Sequence, residues 1–242
     1  MNYGEDKKRT VDPIYVGSTV LGIRYNNGVL LGSDIRLNYG SLCKFNNITD
    51  RVQKINENTI ITSTGEYSDY QEIIKILREE ALEDSLNVNS YLGPNELIHY
   101  LANISYYRRN KMNPYYLSTL IGGIGQDNQP ILAHVDQYGT LITGDYLVTG
   151  LAHYFCNAIL SEEYPKGGYR SLSREGAMEL LHKCFGVLYC RDTRSGDTIK
   201  YGFMEFNQST SSNEYNEVIR KVNTNWDYNQ FLTMNNEKFY LN

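Results

Sequence analysis

Gly17-Ser18-Thr19-Val20-Leu21-Gly22-Ile23-Arg24-Tyr25-Asn26-Asn27-Gly28-Val29-Leu30-Leu31-Gly32-Ser33-Asp34-Ile35-Arg36 has the pattern of two strands joined by a turn. Two apolar runs, 18–25 and 28–34, flank Asn26-Asn27-Gly28, whose residues tolerate the positive φ of a tight hairpin. The chain therefore opens as an antiparallel β unit, and Thr59–Ser63 reads as a further strand.

Downstream the apolar period changes from two to that of a helix. Ser68 is a candidate N-cap with Gln71 completing a capping box, and Tyr70, Ile74, Leu77 and Ala81 recur on one face. A second helix is expected from Pro94, where the missing N–H costs nothing, with Leu97, Leu101 and Ile104 buried. Strand signals return at 118–123, 130–135 and 140–146, split by turn residues at 126–128 and at Tyr138-Gly139. Two more helices follow, over 150–161 and from Ser173 to about Tyr189, and then a strand at 198–206. Gly122-Gly123-Ile124-Gly125 reads as a strand-end turn and not as a phosphate loop, because no helical pattern follows it. Blocks of strands alternating with pairs of helices predict α+β class: a four-layer αββα sandwich of two stacked antiparallel sheets, each covered by helices. A doubly wound nucleotide-binding sheet would need strand–helix alternation instead. We divide the chain into an N-terminal segment (1–15), a sandwich domain (16–207) and a polar C-terminal strand and extended tail (208–242), with the last strand near 217–222.

Composition narrows function. The chain has 242 residues and a net charge of −5, and the basic run at 108–111 is short, so neither nucleic acid nor an anionic membrane is an expected partner. Cys43, Cys156, Cys184 and Cys190 show no metal-ligand spacing and read as reduced, largely buried thiols; no metal or cofactor is expected. No apolar h-region follows the N-terminus and no apolar run nears 18 residues, so the expectation is a soluble protein of cytoplasm and nucleus.

The 17–22 and 28–36 segments, together with Arg191-Asp192-Thr193-Arg194-Ser195-Gly196, resemble proteasome β subunits, members of the N-terminal nucleophile hydrolase fold, over roughly residues 16–207. The runs at 63–71, 106–114, 187–195 and 224–227 are similar to a non-catalytic member of that family, at the seventh β position. The resemblance implies a structural subunit of the 20S core particle, which supports ring assembly and ATP- and ubiquitin-dependent protein degradation by the complex. It also implies partners: the first and sixth β subunits of the same ring, the α-ring subunits, and the opposite β ring through the C-terminal tail. Trp226, Phe231, Phe239 and Tyr240 in that polar tail are the interface candidates.

Peptide-cleaving members of the family need a mature N-terminal threonine freed after a glycine, an aspartate in the second strand, and a lysine. A hydroxyl is a poor nucleophile until a nearby amine takes its proton. By resemblance, Ser18 stands at the nucleophile position behind Gly17, Asp34 at the aspartate, and Asp192 with Ser195 at the supporting pair. The lysine position falls on Arg51 or on Asp50, depending on one inserted loop residue; Lys44 and Lys54 sit at other offsets. A guanidinium does not release its proton at any useful pH, and a carboxylate would reverse the local charge. The expectation is that these positions are vestigial. The alternative is an active threonine-type peptidase subunit using Ser18 after cleavage of Gly17-Ser18.

Overall fold

In a computed structural model, residues 13–86 and 92–223 are described. The strands are β1 (Val16–Gly17), β2 (Val20–Tyr25), β3 (Gly28–Asp34), β4 (Leu37–Tyr39), β5 (Leu42–Phe45), β6 (Val52–Asn56), β7 (Thr59–Glu66), β8 (Leu117–Ile124), β9 (Pro130–Val135), β10 (Leu141–Thr143), β11 (Tyr146–Val148), β12 (Thr198–Asn207) and β13 (Ser212–Lys221). The helices are α1 (Tyr67–Ser85), α2 (Pro94–Asn110), α3 (Ala152–Phe155), α4 (Asn157–Glu163) and α5 (Arg174–Arg191).

One sheet runs β10-β9-β8-β7-β1-β4-β5, with β6 also on β7; the other runs β11-β2-β3-β12-β13, and the pairing is antiparallel throughout. Successive strand residues face opposite sides, and both sides are covered, so central strands read as unbroken apolar runs. Ile60 and Leu120 point between the sheets with Val29 and Leu31, while their neighbours Ile61 and Ile121 pack under α1 and α2. Leu30 faces the other way, against Ala177, Leu181, Cys184 and Leu188 of α5. The result is the α+β sandwich of layers helix, sheet, sheet, helix. Among the described residues no helix is long and apolar enough to cross a membrane.

Several local expectations differ from the structure. Ser68 does not cap α1: the helix starts one residue earlier, behind Glu66, and the Ser68 hydroxyl donates to Glu66 Oε1 at 2.9 Å. The Tyr67 N–H already has a partner, Tyr15 O at 2.8 Å, supplied by the chain entering β1. Such a cap from distant sequence leaves no local signal. The expected 150–161 helix is two pieces, α3 and α4, which meet at Cys156, where φ is −100°. The pattern reads through because the Cys156 and Leu160 N–H groups keep their i−4 carbonyls. The last strand begins at Ser212, not near 217, and pairs with β12 along its full length. Cys156 and Cys184 are buried as expected, but Cys43 and Cys190 are exposed, since one lies on an edge strand and the other on the outer side of α5.

Candidate functional site

Ser18 lies between β1 and β2, and Asp34 ends β3, the hairpin partner of β2. The hairpin thus brings residues 16 positions apart into contact: Ser18 Oγ donates to Asp34 Oδ2 at 2.8 Å. The same oxygen accepts the Gly196 N–H at 2.7 Å. Asp34 Oδ1 is paired with the Arg51 guanidinium. Arg51 Nη1 also donates to Asp34 O at 3.1 Å, and Nη2 donates to Ser18 O at 2.6 Å and Ser63 O at 3.3 Å. Arg51 and Asp34 are each 1% exposed. A buried ion pair holds only when hydrogen bonds satisfy what the charges lose in leaving water, and here the carbonyls of Ser18, Asp34 and Ser63 do so. Asp50 is exposed; it is Arg51 whose side chain occupies the site.

Gly17 is fitted to that guanidinium. A Cβ on it would lie 2.7 Å from Arg51 Nη2, so only glycine lets the plane rest against the backbone there. Residues before Ser18 are woven into the sheet: Val16 pairs with Asn38 of β4 and Glu66 of β7, and Gly17 with Leu37 and Gly65. The Glu66 carboxylate accepts the N–H groups of Ile14 and Tyr15. While Gly17 remains bonded to Ser18, the Ser18 nitrogen is an amide whose lone pair is delocalised and does not take up a proton.

Asp192 and Ser195 lie in the turn after α5. Asp192 Oδ1 accepts the Arg194 N–H at 3.0 Å, and the Ser195 N–H donates to Asp192 O at 3.0 Å. That turn delivers Gly196 to Asp34, and Arg36 Nη1 secures it by donating to Ser195 O at 3.1 Å. Asp192 Oδ2 is buried with no hydrogen-bond partner among the described residues. No lysine occupies the cluster formed by Ser18, Asp34 and Arg51. Lys44 is exposed on β5, Lys54 pairs with Glu57 at the surface (2.7 Å), and the buried Lys200 holds Glu217 at 2.7 Å.

The family model described as "Proteasome subunit" matches residues 14–204. The chain belongs to the proteasome subunit family. It is 33% identical to "Proteasome subunit beta type-4" of Xenopus laevis over 221 residues, 91% of this chain and 88% of that one. It is 32% identical to the protein of the same name in Arabidopsis thaliana over 228 residues, 94% and 88% of the two chains. With the "Probable proteasome subunit beta type-7" of Schizosaccharomyces pombe it shares 33% over 190 residues, 78% and 72%.

Within this proteasome subunit the structure brings Ser18, Asp34 and Arg51 into direct contact and sets Asp192 and Ser195 behind them through Gly196. Trp226, Phe231, Phe239 and Tyr240 lie outside the described residues. Sequence reasoning missed Ser63, whose carbonyl takes the guanidinium, and Glu66, which ties down residues 14 and 15. A backbone acceptor leaves no residue-type signal. Glu66 did carry one, a lone acid between a strand and a helix, but its partner lies about fifty residues earlier.

Proposed function

We propose that this chain is a non-catalytic β-type subunit of the 20S core particle and serves ring assembly. The observation that carries this reading is Arg51. A peptidase of this fold needs a group beside the hydroxyl that can take its proton, and the cluster offers none. The guanidinium is a permanent donor, already spent on Asp34, Ser18 O and Ser63 O. Asp34 already accepts from Arg51, Gly196 and Ser18 itself. The α-amine exists only if Gly17-Ser18 is cut, and the pairing of Val16 and Gly17 holds the N-terminal side of that bond in the sheet. Losing one member of a concerted nucleophile set costs several orders of magnitude in rate.

The rest of the reading follows the family. The chain packs between the first and sixth β positions of its ring, touches α-ring subunits, and reaches the opposite β ring with its C-terminal tail. It contributes to ATP- and ubiquitin-dependent protein degradation by the complex without cutting peptides itself.

Intact-mass measurement of the chain from purified particles, treated with a hydroxyl-directed covalent protease inhibitor, tests this. The expected mass includes residues before Ser18 and carries no adduct on Ser18. A chain that begins at Ser18 and bears the inhibitor there would establish the peptidase reading instead.

A further inference from the structure

We propose that the outer edge of the eight-stranded sheet, formed by the β4–β5 hairpin and Tyr15, is a docking surface for a neighbouring subunit of the particle. The inference rests on family membership and on a structural role for the chain, and it adds where contact is made.

β5 pairs only with β4, so its outer row of N–H and C=O groups has no strand partner among the described residues, and all four of its residues are exposed. Sheet edges in chains that stay alone are blunted by charge, proline or bulges. This edge has Lys44 and a register shift between Leu37 and Asn38, but it also carries apolar side chains: Leu42 is 68% exposed, Tyr39 55%, Phe45 42%, Ile14 41% and Tyr15 37%. They form one patch. The Tyr15 ring meets Phe45 edge-on at 5.6 Å between centroids and lies 6.4 Å from Tyr39. Lys44 is the one charged residue of the strand.

The hairpin is also held in place. Asn38 Nδ2 donates to Arg194 O at 2.9 Å, Arg36 reaches Ser195 O and Asn46 Oδ1, and the Ile48 N–H returns to Ile35 O at 2.8 Å. A pre-set apolar surface loses little entropy on docking. Six of residues 1–12 are charged, so that segment is poorly suited to cover an apolar patch. An apolar face of an adjoining subunit fits it, with the open edge of β5 available for backbone pairing.

Cys43, exposed on β5, is the reporter. In intact particles, alkylation of Cys43 by iodoacetamide, read by peptide mass spectrometry, should be at least tenfold slower than in the same particles after dissociation in denaturant. Equal rates overturn the proposal. Protection should persist in particles whose chain lacks residues 2–12; if it disappears, the chain's own N-terminal segment is the cover and the proposal fails. The double variant Leu42→Asp, Phe45→Asp should enter full-size particles several-fold less than the wild-type chain, and incorporation at the wild-type level counts against it. None of these readouts depends on whether Ser18 reacts, so an exposed Cys43 in a particle with silent Ser18 would reject the surface and leave the non-catalytic reading standing.

Discussion

At the scale of single residues, Arg51 is what holds the site together. Its guanidinium neutralises a carboxylate that is almost fully withdrawn from water and ties the β1–β2 link, the end of β3 and the middle of β7 together through backbone carbonyls. Arg51→Ala would strand Asp34 with only a hydroxyl and one N–H, at a cost of about 3–5 kcal/mol. For a chain of this size that corresponds to a fall of roughly 6–20 °C in melting temperature. Arg51→Lys keeps the charge but loses the fork, so its loss should be smaller. Thermal unfolding of the two variants checks this, and an alanine variant within 1 kcal/mol of wild type would show that the pair does not hold the site. The resemblance left Arg51 and Asp50 both open as the lysine replacement. A one-residue loop insertion cannot be located by counting, whereas burial distinguishes the two at once, because one is inside and the other in solvent.

At the scale of elements, the junction from β7 to α1 shows what pattern reading reaches and where it stops. The change from strand to helix near residue 66 was legible, since Thr59–Ser63 and then Tyr70, Ile74 and Leu77 differ in period. Its capping was not, because the partner of the Tyr67 N–H comes from Tyr15, just before a strand too short to carry a pattern. Gly65 occupies this junction at φ +115°, and a Cβ there would lie 2.0 Å from Tyr116 O. Gly65→Ala must therefore displace β7 from β8 and should abolish soluble expression. Gly40, at φ +58° in the β4–β5 turn with open space around it, carries only the left-handed backbone cost, so Gly40→Ala should lose about 1–2 kcal/mol. Comparable solubility and unfolding curves for the two variants would refute the steric account. The short strands β1, β4, β5 and β6 escaped the sequence reading for a common reason: pieces of two to five residues show too few periods to register.

Across the molecule, two partly buried imidazoles couple the sandwich to pH. Burial pushes the pKa of His134, 2.6 Å from Ser118 Oγ, below the ordinary value of about 6.5, and burial together with the Arg220 charge does the same to His182. Above that value both are neutral whether the chain is folded or not, so neither alters stability. As pH falls through about 6.5 the unfolded chain takes up protons first, and stability declines. Urea midpoints measured between pH 8 and pH 5.5 should fall toward the acid end; a flat or rising profile would contradict this. The layers were legible in the sequence, since buried strands and amphipathic helices announce their faces through period, and Asn26-Asn27-Gly28 marked the hairpin, although none of the three takes the positive φ expected of it. The sequence also named Ser18, Asp34, Asp192 and Ser195 through resemblance. Only the tertiary structure decided that Arg51 fills the site, that Val16 and Gly17 are bound into a sheet, and that the β4–β5 edge stands open. Those depend on backbone groups and on contacts between residues far apart in the chain. Local periodicity carries no record of such contacts, because their energy arises only when separate strands meet in a medium from which water is excluded.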